Sequence, residues 1–176
     1  MPSHPPYSDD LLARAARIRL ACFDVDGTLT DGRLYYDGEG RELKAFHVQD
    51  GQGLVLLRKA GVAVAFVTAR RGAAAERRAA ELGAEAHVGV QDKQACVEEI
   101  RARLGLSSDQ VCFMGDDLPD RVPMQAAGLA VAPANAHASA LAVAHWCTAA
   151  RGGEGAAREL CDLLLAARRR DAGVPA

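Results

Sequence analysis

The 176-residue sequence has no surplus of charge of either sign, with 21 Lys+Arg against 23 Asp+Glu. It therefore projects no broad basic field of the kind that draws a protein to nucleic acid or anionic lipid, and small molecules are the favoured ligands. No apolar run approaches the roughly 20 residues that a membrane-crossing helix needs. The first ten residues are polar and carry prolines, unlike a secretory signal. A soluble, cytoplasmic protein is the expectation. Cysteine is scarce and irregular: Cys22, Cys96, Cys112, Cys147 and Cys161 are odd in number, show no C-x-x-C spacing and mostly have apolar neighbours. That pattern argues against a disulfide framework or a zinc site and for buried reduced thiols.

What is present is apolar material in an ordered pattern. Hydrophobic residues make up 49% of the chain, enough at this length for one buried core, so a single domain over 1–176 is expected. Strand-like runs recur at Ile18 to Phe23, Val62 to Val67, Ala86 to Val90, Val111 to Met114 and Leu129 to Val131. Helix-period segments lie between them. Lys93 to Leu104 places Cys96, Ile100 and Leu104 on one face, and Ala73 to Leu82 leaves Arg77, Arg78 and Glu81 for solvent. Ser8 reads as the N-cap of a helix within 1–17, and a last helix from Gly155 to Arg170 buries Leu160, Cys161, Leu164 and Leu165.

Strands alternating with helices imply an α/β fold, a doubly wound parallel sheet whose ligands bind at the C-terminal strand ends. One segment departs from the alternation. Arg33 to Tyr36 and Glu42 to Val48 flank Asp37-Gly38-Glu39-Gly40, the pattern of a small β-hairpin insertion over 33–48. Residues 171–176 read as a flexible tail.

Chemistry concentrates where the apolar runs end. Phe23-Asp24-Val25-Asp26-Gly27-Thr28 carries a strand directly into two carboxylates at i, i+2, and Gly115-Asp116-Asp117-Leu118-Pro119-Asp120 follows another. In a parallel sheet the two clusters converge, and convergent carboxylates suit Mg²⁺ better than zinc. Thr68 closes a third strand and Lys93 opens the helix after a fourth, a hydroxyl and an ammonium suited to phosphate. A carboxylate nucleophile, a second carboxylate, a divalent cation and a cationic side chain are the parts phosphoryl transfer requires. Taken singly, paired aspartates after a strand are turn formers, Thr68 is a cap and Lys93 is a solvated helix residue. Their ordered series turns the reading toward catalysis.

That series, Asp24-Val25-Asp26-Gly27-Thr28, Thr68, Lys93 and Gly115-Asp116-Asp117, resembles the four motifs of the haloacid dehalogenase superfamily of phosphatases. Asp26-Gly27-Thr28-Leu29-Thr30-Asp31-Gly32, Phe46-His47-Val48-Gln49-Asp50-Gly51, Gly115 to Asp120 and Gly152 to Glu159 further resemble the 3-deoxy-D-manno-octulosonate 8-phosphate phosphatases, a likeness spanning Ile18 to Leu165. The resemblance implies that Asp24 attacks phosphorus while Asp26 protonates the departing sugar alkoxide and then activates water against the aspartyl-phosphate. It implies Mg²⁺ held by the Asp24 and Asp116 carboxylates and the Asp26 main-chain carbonyl, with Thr68 and Lys93 on the phosphoryl oxygens. Asp117 and Asp120 are expected to position Lys93 or metal-bound water, and with Thr28, Asp31 and Arg70 they complete the candidate substrate-binding set. The pathway implied is lipopolysaccharide precursor synthesis.

Between Asp24 and Thr68 there is room only for the hairpin, a turn and one helix, and between Lys93 and Asp116 only for a helix and a strand, so no cap domain is expected. An uncapped site is wet, and water weakens the charge interactions that stabilise the transition state. By the resemblance, hairpins associate in a homotetramer whose neighbouring subunits close the site. Two positions depart from the family pattern: Ala69 replaces the usual glycine before Arg70, and Glu154 stands where a basic residue is common. Arg70 favours an octulosonate, whereas Glu154 leaves a nine-carbon sugar acid phosphate such as 2-keto-3-deoxynononate 9-phosphate open. Two non-enzymatic readings also remain, a phosphoaspartate receiver and a relative that has lost turnover. Asp26 argues against the receiver, which needs no acid/base beside its phosphoaspartate. His47 is either a substrate contact or an idle strand histidine, His137 and His145 read as structural or surface residues, and Arg151 and Arg158 either meet a sugar carboxylate or merely cap a helix or pair with Glu154 or Glu159.

Overall fold

A computed structural model describes residues 7–171 and 173 of the chain. Helix α1 (Asp9–Arg17) precedes strand β1 (Leu20–Phe23), and the Ser8 side chain caps α1 by accepting the Leu11 amide at 3.3 Å. An antiparallel hairpin follows, β2 (Tyr35–Tyr36) with β3 (Glu42–Leu43), then α2 (Val48–Lys59) and β4 (Ala63–Thr68). The alternation continues through α3 (Ala73–Leu82), β5 (Glu85–Val88), α4 (Lys93–Arg103), β6 (Val111–Met114), α5 (Arg121–Ala126), β7 (Leu129–Ala132), α6 (Ala138–Leu141), β8 (Trp146–Cys147) and α7 (Ala156–Asp171).

The six strands outside the hairpin form one sheet in the order β5-β4-β1-β6-β7-β8, with every neighbouring pair parallel. The chain runs outward from β1 in one direction and then in the other, so β1 marks the switch point of the doubly wound sheet, where such sheets open a crevice. Strand alternation divides the core in two. Ala21, Phe23, Val64, Phe66, Cys112 and Met114 face α1, α2, α3 and α7, whereas Leu20, Cys22, Ala65, Val67 and Phe113 face α4, α5 and α6. Phe23, Phe66 and Phe113 are fully buried, each contributing roughly 1.5–3 kcal/mol by leaving water.

Several expectations shift at their edges. Ile18 is buried but ends α1 instead of opening β1, and the strand expected at Ala86 to Val90 begins and ends earlier, at Glu85–Val88. The second hairpin strand stops at Leu43 and does not reach Val48, which is the first residue of α2 with His47 at its N-cap position. On α4 the buried stripe is Lys93, Val97 and Ile100, not Cys96, Ile100 and Leu104. The Asp92 side chain starts the helix by accepting the Ala95 amide at 2.9 Å, Val97 and Ile100 pack on the sheet, and Leu104 falls at the helix end, 39% exposed. Helix α7 buries Leu163 as well as Leu160, Cys161 and Leu164, leaving Leu165 half-buried. Cys22, Cys112 and Cys161 are buried, Cys96 is half-buried and Cys147 is exposed, all as free thiols. Residues 1–6 of the expected N-terminal helix, and 172 and 174–176 of the expected tail, lie outside the described residues.

Candidate active site

Register carries the first three candidates to one edge of the sheet. Phe23 lies level with Phe66 of β4 and Met114 of β6. Asp24 continues the ladder through its amide to the Met114 carbonyl at 2.9 Å, which sets it beside the end of β4 at Thr68 and the Asp116 loop. Asp24, Thr68 and Lys93 are all buried, at 6%, 2% and 6% exposure. Lys93 points toward the sheet because it begins the same helical stripe as Val97 and Ile100.

Lys93 Nζ donates to Asp24 Oδ1 and to Asp120 Oδ1, both at 2.6 Å. The other Asp120 oxygen accepts the amides of Asp116 at 3.0 Å and Asp117 at 3.2 Å. Asp120, 1% exposed, thus ties the phosphate-type cation to the second acidic loop. Asp117 does not share this duty: its side chain is 59% exposed, its carboxylate caps the following 3-10 turn by accepting the neighbouring Leu118 amide at 2.7 Å, and it lies 3.7 Å from His137. Burial, then the Asp120 charge, pushes Asp24 well above the usual carboxylate range against the pull of Lys93. The same two causes raise Asp116 to about 6. Burial opposes the charge on Lys93, but the two carboxylates outweigh it and hold the ammonium above its ordinary value.

The loop after β1 is shaped by glycine and threonine. Gly27 has φ +94°, and a Cβ there would overlap the Asp116 carboxylate. Thr28 Oγ1 donates to Asp116 Oδ1 at 3.2 Å, while Thr30 Oγ1 accepts the amides of Gly27 and Gly32, both at 3.3 Å. Gly152 and Gly153 pack directly on this loop, where Cβ atoms would strike the Gly27 carbonyl and the Thr30–Asp31 peptide. Asn135 Oδ1 holds the Gly152 amide at 2.8 Å. Asp31 sits at the root of the hairpin, accepting the Tyr35 hydroxyl at 2.7 Å and the Arg33 amide at 2.9 Å.

Asp26 faces a different set of side chains. Its Oδ1 accepts from Lys44 Nζ, and Thr68 Oγ1 donates to its Oδ2 at 3.5 Å. Lys44 also donates to Glu42 Oε1 at 2.8 Å, and Arg70 holds the other Glu42 oxygen at 3.1 Å. Burial works against the charge on Lys44, and the bonds to Asp26 and Glu42 override it, holding the ammonium above its ordinary range. Neither Lys44 nor Glu42 stands out in the sequence. Their one signal is i, i+2 spacing on a strand, which puts both on one face with Leu43 on the other.

The remaining candidates have plainer surroundings. Arg158 pairs with Asp162 at 2.9 Å, not with Glu154 or Glu159, and its amide donates to Asp50 at 2.7 Å. Glu159 instead accepts the amides of Ala149 at 2.8 Å and Ala150 at 3.0 Å, while Arg151 and Glu154 are exposed. His47 stands before α2 with Nδ1 buried and unpartnered, so it is not a strand residue. His137 bonds Ser139 at 2.9 Å, and His145 accepts the Ala130 amide at 2.9 Å.

Among the described residues, Asp24, Asp116 and Asp120 bring carboxylate oxygens within 4.8 Å of one another. Asp120 has both oxygens committed to Lys93 and two amides, which leaves Asp24 and Asp116 to meet a cation. Three carboxylates against one ammonium leave an excess of two negative charges, and a hard divalent ion bound through two carboxylates answers that excess. Its charge would also oppose the burial and the Asp120 repulsion that raise Asp24 and Asp116.

A family profile described as haloacid dehalogenase-like hydrolase matches residues 87–160. The chain is 44% identical over 164 residues to the 3-deoxy-D-manno-octulosonate 8-phosphate phosphatase KdsC of Yersinia pestis, covering 93% of this chain and 88% of that protein. A crystal structure of a hypothetical protein from Xanthomonas campestris is similar with a TM-score of 0.90 and 55% identity over 96% of each chain. The 3-deoxy-D-manno-octulosonate 8-phosphate phosphatase of Moraxella catarrhalis, crystallised with magnesium, phosphate and a KDO molecule, is 38% identical with a TM-score of 0.90, covering 95% of this chain and 97% of that one.

Proposed function

Because the chain belongs to the 3-deoxy-D-manno-octulosonate 8-phosphate phosphatase family of haloacid dehalogenase-like hydrolases, we propose that it releases phosphate from that eight-carbon sugar acid, supplying lipopolysaccharide precursors. The observation that carries this reading is the division of labour between two aspartates on one loop. Asp24 lies buried against Lys93 at 2.6 Å, and Asp26, two residues on, faces Thr68 and Lys44.

In the first step an Asp24 oxygen forms a bond to phosphorus as the bond from phosphorus to the sugar oxygen breaks. Asp26 gives its proton to the departing alkoxide. Lys93 stays charged throughout and offsets charge on the transferring group, with the Thr68 hydroxyl beside it. In the second step Asp26 takes a proton from water, whose oxygen attacks the aspartyl-phosphate and frees Asp24. The Asp24 and Asp116 carboxylates and the Asp26 main-chain carbonyl would hold Mg²⁺, which would supply charge neutralisation when bound. Asp120 keeps Lys93 and the second acidic loop in place, with Thr28 holding Asp116 and Asp31 the root of the hairpin.

The Arg70 side chain, 40% exposed beside the Asp26 network, supplies a guanidinium for the sugar carboxylate. The hairpin exposes Leu34, Tyr36 and Leu43 at 50%, 57% and 56%. Covering that face in a homotetramer would bring neighbouring subunits over an otherwise open site. No described helix is long and apolar enough to cross a membrane, and the working place proposed is the cytoplasm.

The test is phosphate release with Mg²⁺ from the octulosonate 8-phosphate, a nononate 9-phosphate and simple hexose phosphates, with Asp24→Asn as control. Preference for the eight-carbon acid and silence of Asp24→Asn are expected. Activity on the nine-carbon acid alone would move the substrate, and inactivity on all three would overturn the reading.

A further inference from the structure

Lys44 is the least expected side chain at the site. It comes from the hairpin, outside the sheet whose strand ends carry Asp24, Thr68 and Asp116, yet its side chain is only 4% exposed. Strand alternation explains how it arrives. Glu42 in β3 and Lys44, the first residue past its end, turn inward, while Leu43 between them is 56% exposed.

Burying an ammonium is costly unless its donors are satisfied, so the position of Lys44 is set by its two carboxylate partners. One is Glu42, itself held by Arg70 at 3.1 Å, and the other is Asp26. The contacts of Asp26 are unequal. Lys44 makes a close charged bond to Oδ1, while the Thr68 hydroxyl stands 3.5 Å from Oδ2, at the outer limit of a hydrogen bond. Most of what fixes the Asp26 carboxylate is therefore the chain Arg70, Glu42, Lys44. With Oδ1 occupied, Oδ2 is the oxygen left to pass a proton to and from substrate.

We propose that Lys44 is a positioning residue for the acid/base, an arm of the hairpin that aims the Asp26 carboxylate at the leaving oxygen and then at water. The inference rests on the phosphatase reading above and on Asp26 being its acid/base. Lys44 itself neither gains nor loses a proton. Its loss leaves Asp26 free to rotate, and misplacement of a catalytic group by about 1 Å costs on the order of 100-fold in rate.

The experiment compares wild type, Lys44→Met, Lys44→Arg, Glu42→Gln and Asp26→Asn on the sugar acid phosphate and on p-nitrophenyl phosphate, whose leaving group needs no proton. Lys44→Met is expected to lower kcat on the sugar phosphate about 100-fold with KM within about twofold of wild type. Lys44→Arg should recover part of that loss. On p-nitrophenyl phosphate, Lys44→Met should release one rapid equivalent of nitrophenolate per enzyme and then turn over slowly, because only the second step still needs a base. A raised KM with unchanged kcat would make Lys44 a substrate-binding residue and overturn the proposal. So would unchanged kinetics, or an equal loss on both substrates without the burst. If Lys44→Met does not fold, Glu42→Gln, which loosens Lys44 without removing it, carries the same test with a smaller loss. An inactive wild type would sink the phosphatase reading, and a fully active Asp26→Asn would sink the acid/base role. Loss in Asp26→Asn with an unaffected Lys44→Met would sink this inference alone.

Discussion

Asp120→Asn keeps the size of a side chain that is 1% exposed and removes only its charge. The carboxylate accepts from Lys93 at 2.6 Å on one oxygen and from the amides of Asp116 and Asp117 at 3.0 and 3.2 Å on the other. An asparagine must place its NH2 on one side or the other, and on either side it meets donors. Removing one partner of a buried ion pair costs about 3–5 kcal/mol. Lys93 keeps Asp24 at 2.6 Å, so the lower end, about 3 kcal/mol, is expected. For a chain of this length that is a fall in Tm of about 6–12 °C. The melts should be run by far-UV circular dichroism with Mg²⁺ saturating. In chelator the loss should shrink, because removing the Asp120 charge also relieves its repulsion of Asp24 and Asp116. Asp117→Asn is the internal control: its side chain is 59% exposed, so a change within about 0.5 kcal/mol is expected. A Tm for Asp120→Asn within about 2 °C of wild type, or an equal loss in Asp117→Asn, would refute the assignment of Asp120 as the buried tie between Lys93 and the acidic loop.

Gly27→Ala forces a Cβ into the Asp116 carboxylate at φ +94°, and a Mg²⁺ titration of activity should show a requirement raised about 10–100-fold. Gly152→Ala drives a Cβ against the Gly27 carbonyl, with about 1–3 kcal/mol lost from overpacking, read as a lower Tm. His145 accepts the Ala130 amide through Nδ1, and burial, then Arg14, holds its pKa below the usual histidine value. The folded state therefore binds fewer protons than the unfolded one, and stability falls as pH drops through and below about 6.5. His145→Asn, a neutral acceptor in the same place, should flatten the Tm profile between about pH 5 and 7; an unchanged slope would remove His145 as its source.

The sheet and its strand-end chemistry are legible in the sequence because both obey strong local rules. Val62 to Val67 and Val111 to Met114 announce buried strands by unbroken apolar runs, and a polar residue at the end of such a run has only the crevice to face. The phase of α4 is less legible. Cys96, Ile100 and Leu104 satisfy the helical period as well as Val97 and Ile100 do, and packing of Val97 and Ile100 against the sheet selects the stripe that carries Lys93 inward. Asp120 carries no periodic signal because it ends a 3-10 turn, Leu118–Asp120, where neither strand nor helix spacing applies. Lys44 and Glu42 are hidden for a different reason. Charged residues in and just after a two-residue strand read as solvated, and their burial comes from the contact of Lys44 with Asp26 of the β1 loop, a tertiary event with no local signature.

The two aspartates of the β1 loop accordingly draw on different parts of the fold. Asp24 is fixed by the sheet: its amide continues the ladder to Met114, and its carboxylate is pinned by a lysine whose direction is dictated by helix packing. Asp26 lies one step beyond the ladder, where the sheet offers only the Thr68 hydroxyl at 3.5 Å. A nucleophile can be supplied by a strand end alone, but a side chain that must address a leaving group above the sheet needs a partner above the sheet. In an uncapped molecule the hairpin is the element placed to provide it. That explains why its inner face carries Glu42 and Lys44 while Leu43, the residue between them, is left to the outer face.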